Sequence, residues 1–426
     1  MQKGITMRKI INFLKKLNNS INYVNKLNNE LSINNDYYIP RMLVENRILL
    51  KKMTNQKLNI VLIAFEPATW LMFQSIYDTF SKSDQVNITV LVIPYAHSTL
   101  PTGTYKDDGL REYLDTLGIP YIYGYNEKTN TWIDIFSLHP DYVFYQAPYN
   151  GMYPDVLKSD YVCQFAQICY LPYGVSITKG EIEETIHPMD FFDNAFFCFV
   201  ETEMHKQNLI ISLQDRGGAI ANQNVIAVGS TKIEQLYKNY QHSERGKYFT
   251  ILWTPRWNTK EGVCTFFDYY DSLIKYTEQN ENIRLIFRPH PLAFQNFIAT
   301  GELTLNEVDN IKNKFSGEKF VLDMSSNYLS SFNEADILIA DITSLMYEFF
   351  PMGKPIIYTH KKNIFNNFGE DLSKGFYVVS DKEELFDTLN SIREGKHLLK
   401  KTIKQLNDLY FSDMNASEKI LEILLS

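Results

Sequence analysis

From Asn59 to Ser380, short apolar runs of strand length alternate with stretches of helical period, and no other feature limits the fold so strongly. NIVLIAF, NITVLVI, PYIYGY, DYVFYQA, QICYLPY, AFFCFV and NVIAVGS come first; YFTILWT, IRLIFRP, KFVLDM, ADILIAD, KPIIYT and FYVVS follow. Between them, TWLMFQSIYDTFSK and LREYLDTLG carry the helical spacing. Strands that alternate with helices require right-handed crossovers and give mostly parallel sheets. The polar stretch KNYQHSERGK, residues 238–247, interrupts the pattern and is the linker candidate. Two α/β halves are therefore expected, over residues 58–240 and 241–395, with C-terminal helices over 396–426. Open parallel sheets take ligands at the carboxyl ends of their strands, where the strand order reverses, and two facing sheets put the ligand in the cleft between them.

Residues 1–57 differ from the rest. Ile10, Leu14, Leu17, Ile21, Val24 and Leu27 recur at helical spacing, while Lys3, Arg8, Lys9, Lys15, Lys16 and Lys26 precede the first acid, Glu30. One reading is a basic amphipathic helix whose residues 1–30 meet an anionic membrane surface. The other is an accessory helix packed on the first domain.

Composition narrows the function classes. The net charge of -8 excludes a general nucleic-acid binder, which needs a basic footprint. Cys163, Cys169, Cys198 and Cys264 form no CxxC pair, so neither a zinc site nor a disulfide framework is expected. No apolar stretch reaches the roughly 18–20 residues that span a bilayer, and the N-terminus lacks the apolar core of a signal peptide. A cytoplasmic protein, peripheral on the inner face of the membrane in the first reading above, is the expectation.

Three loops that leave predicted strands in the second half carry polar chemistry. In LWTPRWN, Pro255 ends the strand, Thr254 stands at its last position, and Arg256 presents a planar cation suited to phosphate. In FRPHPLA, His290 lies between Pro289 and Pro291, so its backbone is restricted on both sides, with Arg288 beside it. Such an imidazole can donate to a phosphate oxygen or act as an acid. In ADILIADITSLMYEFFPMG, a helix is predicted to begin near Thr343. Its first-turn N–H groups, with the Thr343 and Ser344 hydroxyls, form an anion site. Asp341 does not suit a phosphate cradle, and is read as a helix cap or as the acceptor of a ligand hydroxyl. Glu348, one turn beyond Ser344, is placed to accept from ribose hydroxyls.

ILWTPRW, LIFRPHP and ADILIADITSLMYEFFPMGKPIIY resemble, in order and spacing, the CDP-glycerol glycerophosphotransferase family of teichoic-acid synthesis, over roughly residues 245–380. PDYVFYQAPYNGMYP to CYLPYGV resembles the first half of the same family. The resemblance implies a GT-B architecture: two Rossmann-like domains facing a central cleft, the first for the acceptor and the second for the nucleotide donor. It implies transfer of glycerol- or ribitol-phosphate from a CDP-activated donor to a lipid-linked or oligosaccharide acceptor of a teichoic acid or capsule. By resemblance, His290 contacts the donor phosphate, Thr343 and Ser344 cradle the pyrophosphate, and Glu348 binds the sugar. No cofactor is required, since the acids do not cluster as magnesium ligands, although magnesium stays open.

One departure concerns the base. Where the family carries Trp-His-Gly-Thr-Pro, this chain has CYLPYGVSITKG, residues 169–180, with Tyr173 between Pro172 and Gly174 and no histidine. His187 is the nearest histidine downstream. YKDDGLREYL, with Asp107 and Asp108, resembles the acid-acid-glycine stretch of bacterial sialyltransferases, which use a CMP-sugar, or caps a helix near Leu110. A glycan-binding relative that lost its base is the remaining alternative.

Overall fold

Every apolar run expected as a strand is one in the computed structural model, which describes residues 15, 38–96, 104–179, 187–216, 224–238, 240, 246–325 and 328–426. The strands are β1 (Leu58–Ala64), β2 (Val86–Val92), β3 (Ile122–Tyr123), β4 (Tyr125–Asn126), β5 (Thr131–Trp132), β6 (Tyr142–Tyr145), β7 (Gln167–Tyr170), β8 (Ala195–Val200) and β9 (Val225–Ala227). After them come β10 (Phe249–Thr254), β11 (Ile283–Phe287), β12 (Phe320–Leu322), β13 (Ile337–Ala340), β14 (Ile356–Thr359) and β15 (Tyr377–Val379). Apart from Lys15, the basic segment 1–30 lies outside the described residues, as does most of the linker candidate 238–247.

The first sheet has 7 strands in the order β3-β2-β1-β6-β7-β8-β9, the second 6 in the order β12-β11-β10-β13-β14-β15, and β4 and β5 form a small antiparallel hairpin. All pairings within the two larger sheets are parallel. β6, β7, β10, β13 and β14 are buried at every position, which is why their sequences read as nearly continuous apolar runs. Helices cover both faces of the first sheet, whose two sides carry separate apolar cores. On one face of the second sheet, Phe266, Tyr269 and Leu273 of the helix Phe266–Gln279 pack with Ile251, Trp253 and Phe287.

The chain forms two compact units. One holds the described parts of Met1–Tyr173, Glu184–Lys232 and Asn415–Ser426; the other holds those of Gly174–Glu183 and Ile233–Met414. The exchanged segments have physical anchors. Ile420 and Leu424 of the last helix, Ala416–Leu425, enter the first unit's core, and Ser417 hydrogen-bonds Thr79 at 2.8 Å. In the second unit, Thr178 bridges Phe365, and Asn366 donates to the Ser176 carbonyl at 3.0 Å.

In each sheet the strand order reverses next to its first strand, between β1 and β6 and between β10 and β13. Such reversals leave a crevice at the carboxyl ends of the strands, because the crossovers on either side diverge.

Candidate active site

β10 and β13 end side by side at the reversal in the second sheet, with Thr254 paired to Ala340. Thr254 is buried, and its hydroxyl makes no hydrogen bond among the described residues. The next residues on each strand fix the two exit loops to one another. The Asp341 carboxylate accepts from the Arg256 N–H at 2.6 Å, from the Thr265 N–H at 2.8 Å and from the Thr265 hydroxyl at 3.1 Å. Burial raises its pKa to about 7, against the pull of those donors. The expected role as helix cap or ligand contact is thus corrected: both carboxylate oxygens are spent on the protein, where they brace the β10 loop.

The β11 exit loop joins the same site. The His290 ring stacks on Trp257 of the β10 loop at 5.4 Å and 26°. The His290 Nδ1 accepts from the Leu292 N–H at 3.2 Å, which selects the neutral tautomer with its proton on Nε2. The residue is solvent-accessible, yet crowding around the ring and the charges of Arg256 and Arg288 depress its pKa to about 4. At neutral pH it is an uncharged donor through Nε2–H.

The two arginines are engaged. Arg256 forms a fork with Glu261, at 2.6 Å from Nε and 3.0 Å from Nη2. Arg288 pairs with Asp323 at 2.7 Å, donates to the Ser325 carbonyl at 2.9 Å and lies over the Tyr328 ring. Neither guanidinium is the unencumbered phosphate ligand that the sequence suggests, because each has an acid in reach.

The helix after β13 is shorter than its sequence implies. It spans Leu345–Phe349, with Ser344 as N-cap, and Pro351 turns the continuation into the 3-10 segment Phe350–Met352. So short a helix has a small dipole, and what remains is local geometry. The Thr343 hydroxyl accepts from the Leu345 N–H at 3.3 Å, and the Met346 and Tyr347 N–H groups bond back to Thr343 and Ser344. The N–H groups of Thr343 and Ser344 have no partner among the described residues, and both residues are partly accessible. The Gly174 backbone lies beside them: a Cβ there would meet the Ser344 hydroxyl at 3.8 Å. Glu348 is buried and accepts from the Tyr328 hydroxyl.

The second unit thus brings Thr254, Arg256, Arg288, His290, Asp341, Thr343, Ser344 and Glu348 to the carboxyl ends of three neighbouring strands. Trp257, Glu261, Asp323 and Tyr328 complete the network and were not anticipated. Trp257 stands inside the quoted LWTPRWN, whereas the other three answer charges and hydroxyls that only folding brings near.

The acceptor-side candidates separate in the first unit. Asp108 accepts from the Tyr95 hydroxyl at 3.2 Å and pairs with Lys106, and the Tyr173 hydroxyl meets that of Tyr149 at 3.1 Å. Asp107 is tied to the Gly109 N–H at 3.0 Å and the Arg111 Nε at 2.7 Å. It therefore holds the turn before the helix Leu110–Leu117, whose N-cap is Gly109. His187 Nδ1 lies 3.3 Å from the hydroxyl of Ser212. Ser212 is in the last turns of Glu203–Gln214, a helix that runs back from the carboxyl end of β8, so His187 sits toward the opposite end of the sheet. Burial, with Arg216 and His205 nearby, depresses its pKa to about 4. Among the described residues, no group of His, Cys, Asp or Glu is arranged to hold a metal ion.

Comparisons with known proteins bear on the fold and on the second half of the chain. No curated protein sequence matches the chain. The UDP-GlcNAc 2-epimerase of Neisseria meningitidis, solved bound to UDP-GlcNAc, is 15% identical with a TM-score of 0.57, covering 86% of this chain and 99% of that one. A putative UDP-N-acetylglucosamine 2-epimerase from Listeria monocytogenes is 14% identical with a TM-score of 0.58, covering 86% and 95%. The wall teichoic acid polymerase TagF is 12% identical with a TM-score of 0.55, covering 97% of both chains. At these identities the likeness is one of fold, two parallel α/β sheets of the GT-B type. Residues 222–426, which contain the whole second-unit site, match the family model for CDP-glycerol:poly(glycerophosphate) glycerophosphotransferase. Over those residues, just under half of its length, the chain is similar to that family of glycerophosphotransferase-like transferases.

Proposed function

We propose that the chain transfers a polyol phosphate, glycerol- or ribitol-phosphate, from a CDP-activated donor to a hydroxyl of a cell-surface glycan, teichoic-acid or capsule acceptor. The acceptor oxygen attacks the β-phosphorus, the bond to the bridging oxygen breaks, and CMP leaves with the electron pair. The observation that carries this reading is the convergence of three strand-exit loops around a neutral His290 and the open Thr343 and Ser344 N–H groups. Donors already in place when charge shifts on a phosphate stabilise the transition state without reorganisation. His290 Nε2–H and those amides are the donors in this reading, and the sugar role of Glu348 rests on the family resemblance.

No metal enters this scheme. The work is placed at the inner face of the cell membrane, with contact through the basic residues 1–30. No described helix is long and apolar enough to cross a membrane.

The test is incubation with CDP-glycerol, CDP-ribitol, CMP-sialic acid and UDP-sugars, with and without chelator, reading product and released nucleotide. CMP release from a CDP-polyol, insensitive to chelator, is expected. Turnover of CMP-sialic acid alone would replace this reading with sugar transfer, and binding without turnover with a glycan-binding role.

A further inference from the structure

A cavity of about 490 Å³ opens elsewhere in the second unit, where β14 and β15 end, between the first turns of two neighbouring helices. The helices are Phe266–Gln279 and Lys382–Arg393, with Tyr276 of one stacked on Phe386 of the other at 4.7 Å. One follows β10 and the other β15, so both begin at the carboxyl edge of the parallel sheet. The volume lies within the roughly 300–1,000 Å³ of sites that hold small molecules. His290, Thr343 and Ser344 do not line it, and it touches the network around Asp341 only at Thr265. It is a separate place from the site described above.

Tyr269 is the group that calls for a partner here. It is 3% exposed and packs in the same core as Leu273 and Leu385, yet it lines the cavity, and its hydroxyl makes no hydrogen bond among the described residues. Buried tyrosines ordinarily pair that hydroxyl. The N–H groups of Lys382 and Glu383 are also unbonded among the described residues, because the Asp381 cap takes the next one, that of Glu384, at 2.9 Å. The His360 ring meets Tyr358 edge-on at 5.7 Å, and neither of its nitrogens has a hydrogen bond among the described residues.

The remaining lining defines the ligand chemistry. Lys361 pairs with Asp268 at 2.5 Å and donates to the Cys264 carbonyl at 2.8 Å. Lys382 then stands against Asp381 and Glu383, which leaves one more carboxylate than ammonium group around the cavity. Those acids sit at helix starts and offset the positive ends of the helix dipoles, so a phosphate would be repelled. Among the described residues no acids converge to hold a metal ion. Hydroxyl groups suit such a wall, since each donates to a carboxylate and accepts from an N–H or O–H. We propose that the cavity binds an uncharged polyhydroxyl compound, a polyol or a sugar. The Tyr269 hydroxyl, the His360 ring, the Lys382 and Glu383 N–H groups and the Glu383 carboxylate hold it. The binding is non-covalent and independent of the transfer reaction proposed above.

Saturation-transfer NMR of the full chain with ribitol, and separately with methyl glucoside, tests this. Wild type is expected to give a signal with at least one of them. Tyr269→Phe removes a hydroxyl that holds nothing in the fold, so the melting temperature should stay in place while binding weakens about three- to tenfold, the loss of one hydrogen bond. Ser380→Trp fills the cavity from an exposed wall position and should abolish the signal. His290→Ala should keep it, and neither inorganic phosphate nor CDP-glycerol should displace the probe. Silence from both probes, equal affinity in Tyr269→Phe or a signal retained in Ser380→Trp would overturn the site and leave the cavity to water. Displacement by phosphate would make it an anion site, and displacement by CDP-glycerol would move the probe to the donor site; either refutes the proposal. None of these readings requires CDP-glycerol turnover, so the donor reading stands or falls separately.

Discussion

Replacing His290 by Ala tests the second-unit site at the group on which the chemistry is placed. The ring is held by its Trp257 stack and by the Leu292 N–H on Nδ1, so Nε2–H is a fixed donor. Arg256 and Arg288 cannot take its place without leaving Glu261 and Asp323. Loss of one preorganised donor to developing charge typically costs about 10²–10³ in kcat, or ~2.7–4 kcal/mol. A tenfold loss, about 1.4 kcal/mol, is the smallest that the assignment tolerates. Loss of the ring stack adds about 0.5–1.5 kcal/mol of local destabilisation, which reads out in melting and not in rate. The assay is CMP release from CDP-glycerol, as kcat/KM from pH 5 to 9, for wild type, His290→Ala and His290→Gln. Because the His290 pKa lies near 4, the free enzyme carries the neutral ring across this range, so no limb near pH 6.5 should belong to His290. Unchanged activity in His290→Ala would refute the role, and a limb near 6.5 that vanishes with the ring would show that the imidazolium acts instead.

Three further outcomes are expected. Thr343→Ala combined with Ser344→Ala keeps the backbone amides but removes the hydroxyls beside them, and should raise KM for the donor by up to about tenfold in steady-state kinetics; an unchanged KM would refute a ligand role for the hydroxyls. Gly369→Ala should destabilise the protein by about 1–3 kcal/mol in urea titrations, because its Cβ would meet the Ile177 carbonyl at 2.2 Å and Phe365 at 2.8 Å. Glu201 is buried with Oε1 unpartnered, and burial raises its pKa to about 8. A raised carboxyl pKa means the folded state binds the proton more tightly than the unfolded state. Its contribution is therefore full below about 4.5 and lost as pH rises to about 8. Wild type should lose up to a few kcal/mol relative to Glu201→Gln across that window, and parallel stability profiles would contradict it.

The amino-acid sequence alone determined the alternation of strands and crossovers, and so two parallel sheets. Strands buried on both faces must be largely apolar, and that pattern is local. It also displayed the exits LWTPRWN, FRPHPLA and DITS, because proline, histidine and hydroxyl residues punctuate strand ends wherever they occur. Tertiary structure alone decided which charges are occupied. Glu261 and Asp323 take the arginines, and Asp341 turns from ligand contact to loop brace, because partners distant in sequence meet only when strands align. The last helix makes the point in apolar terms, for its stripe is legible by pattern, but only folding packs Ile420 and Leu424 into the first unit's core and joins Ser417 to Thr79.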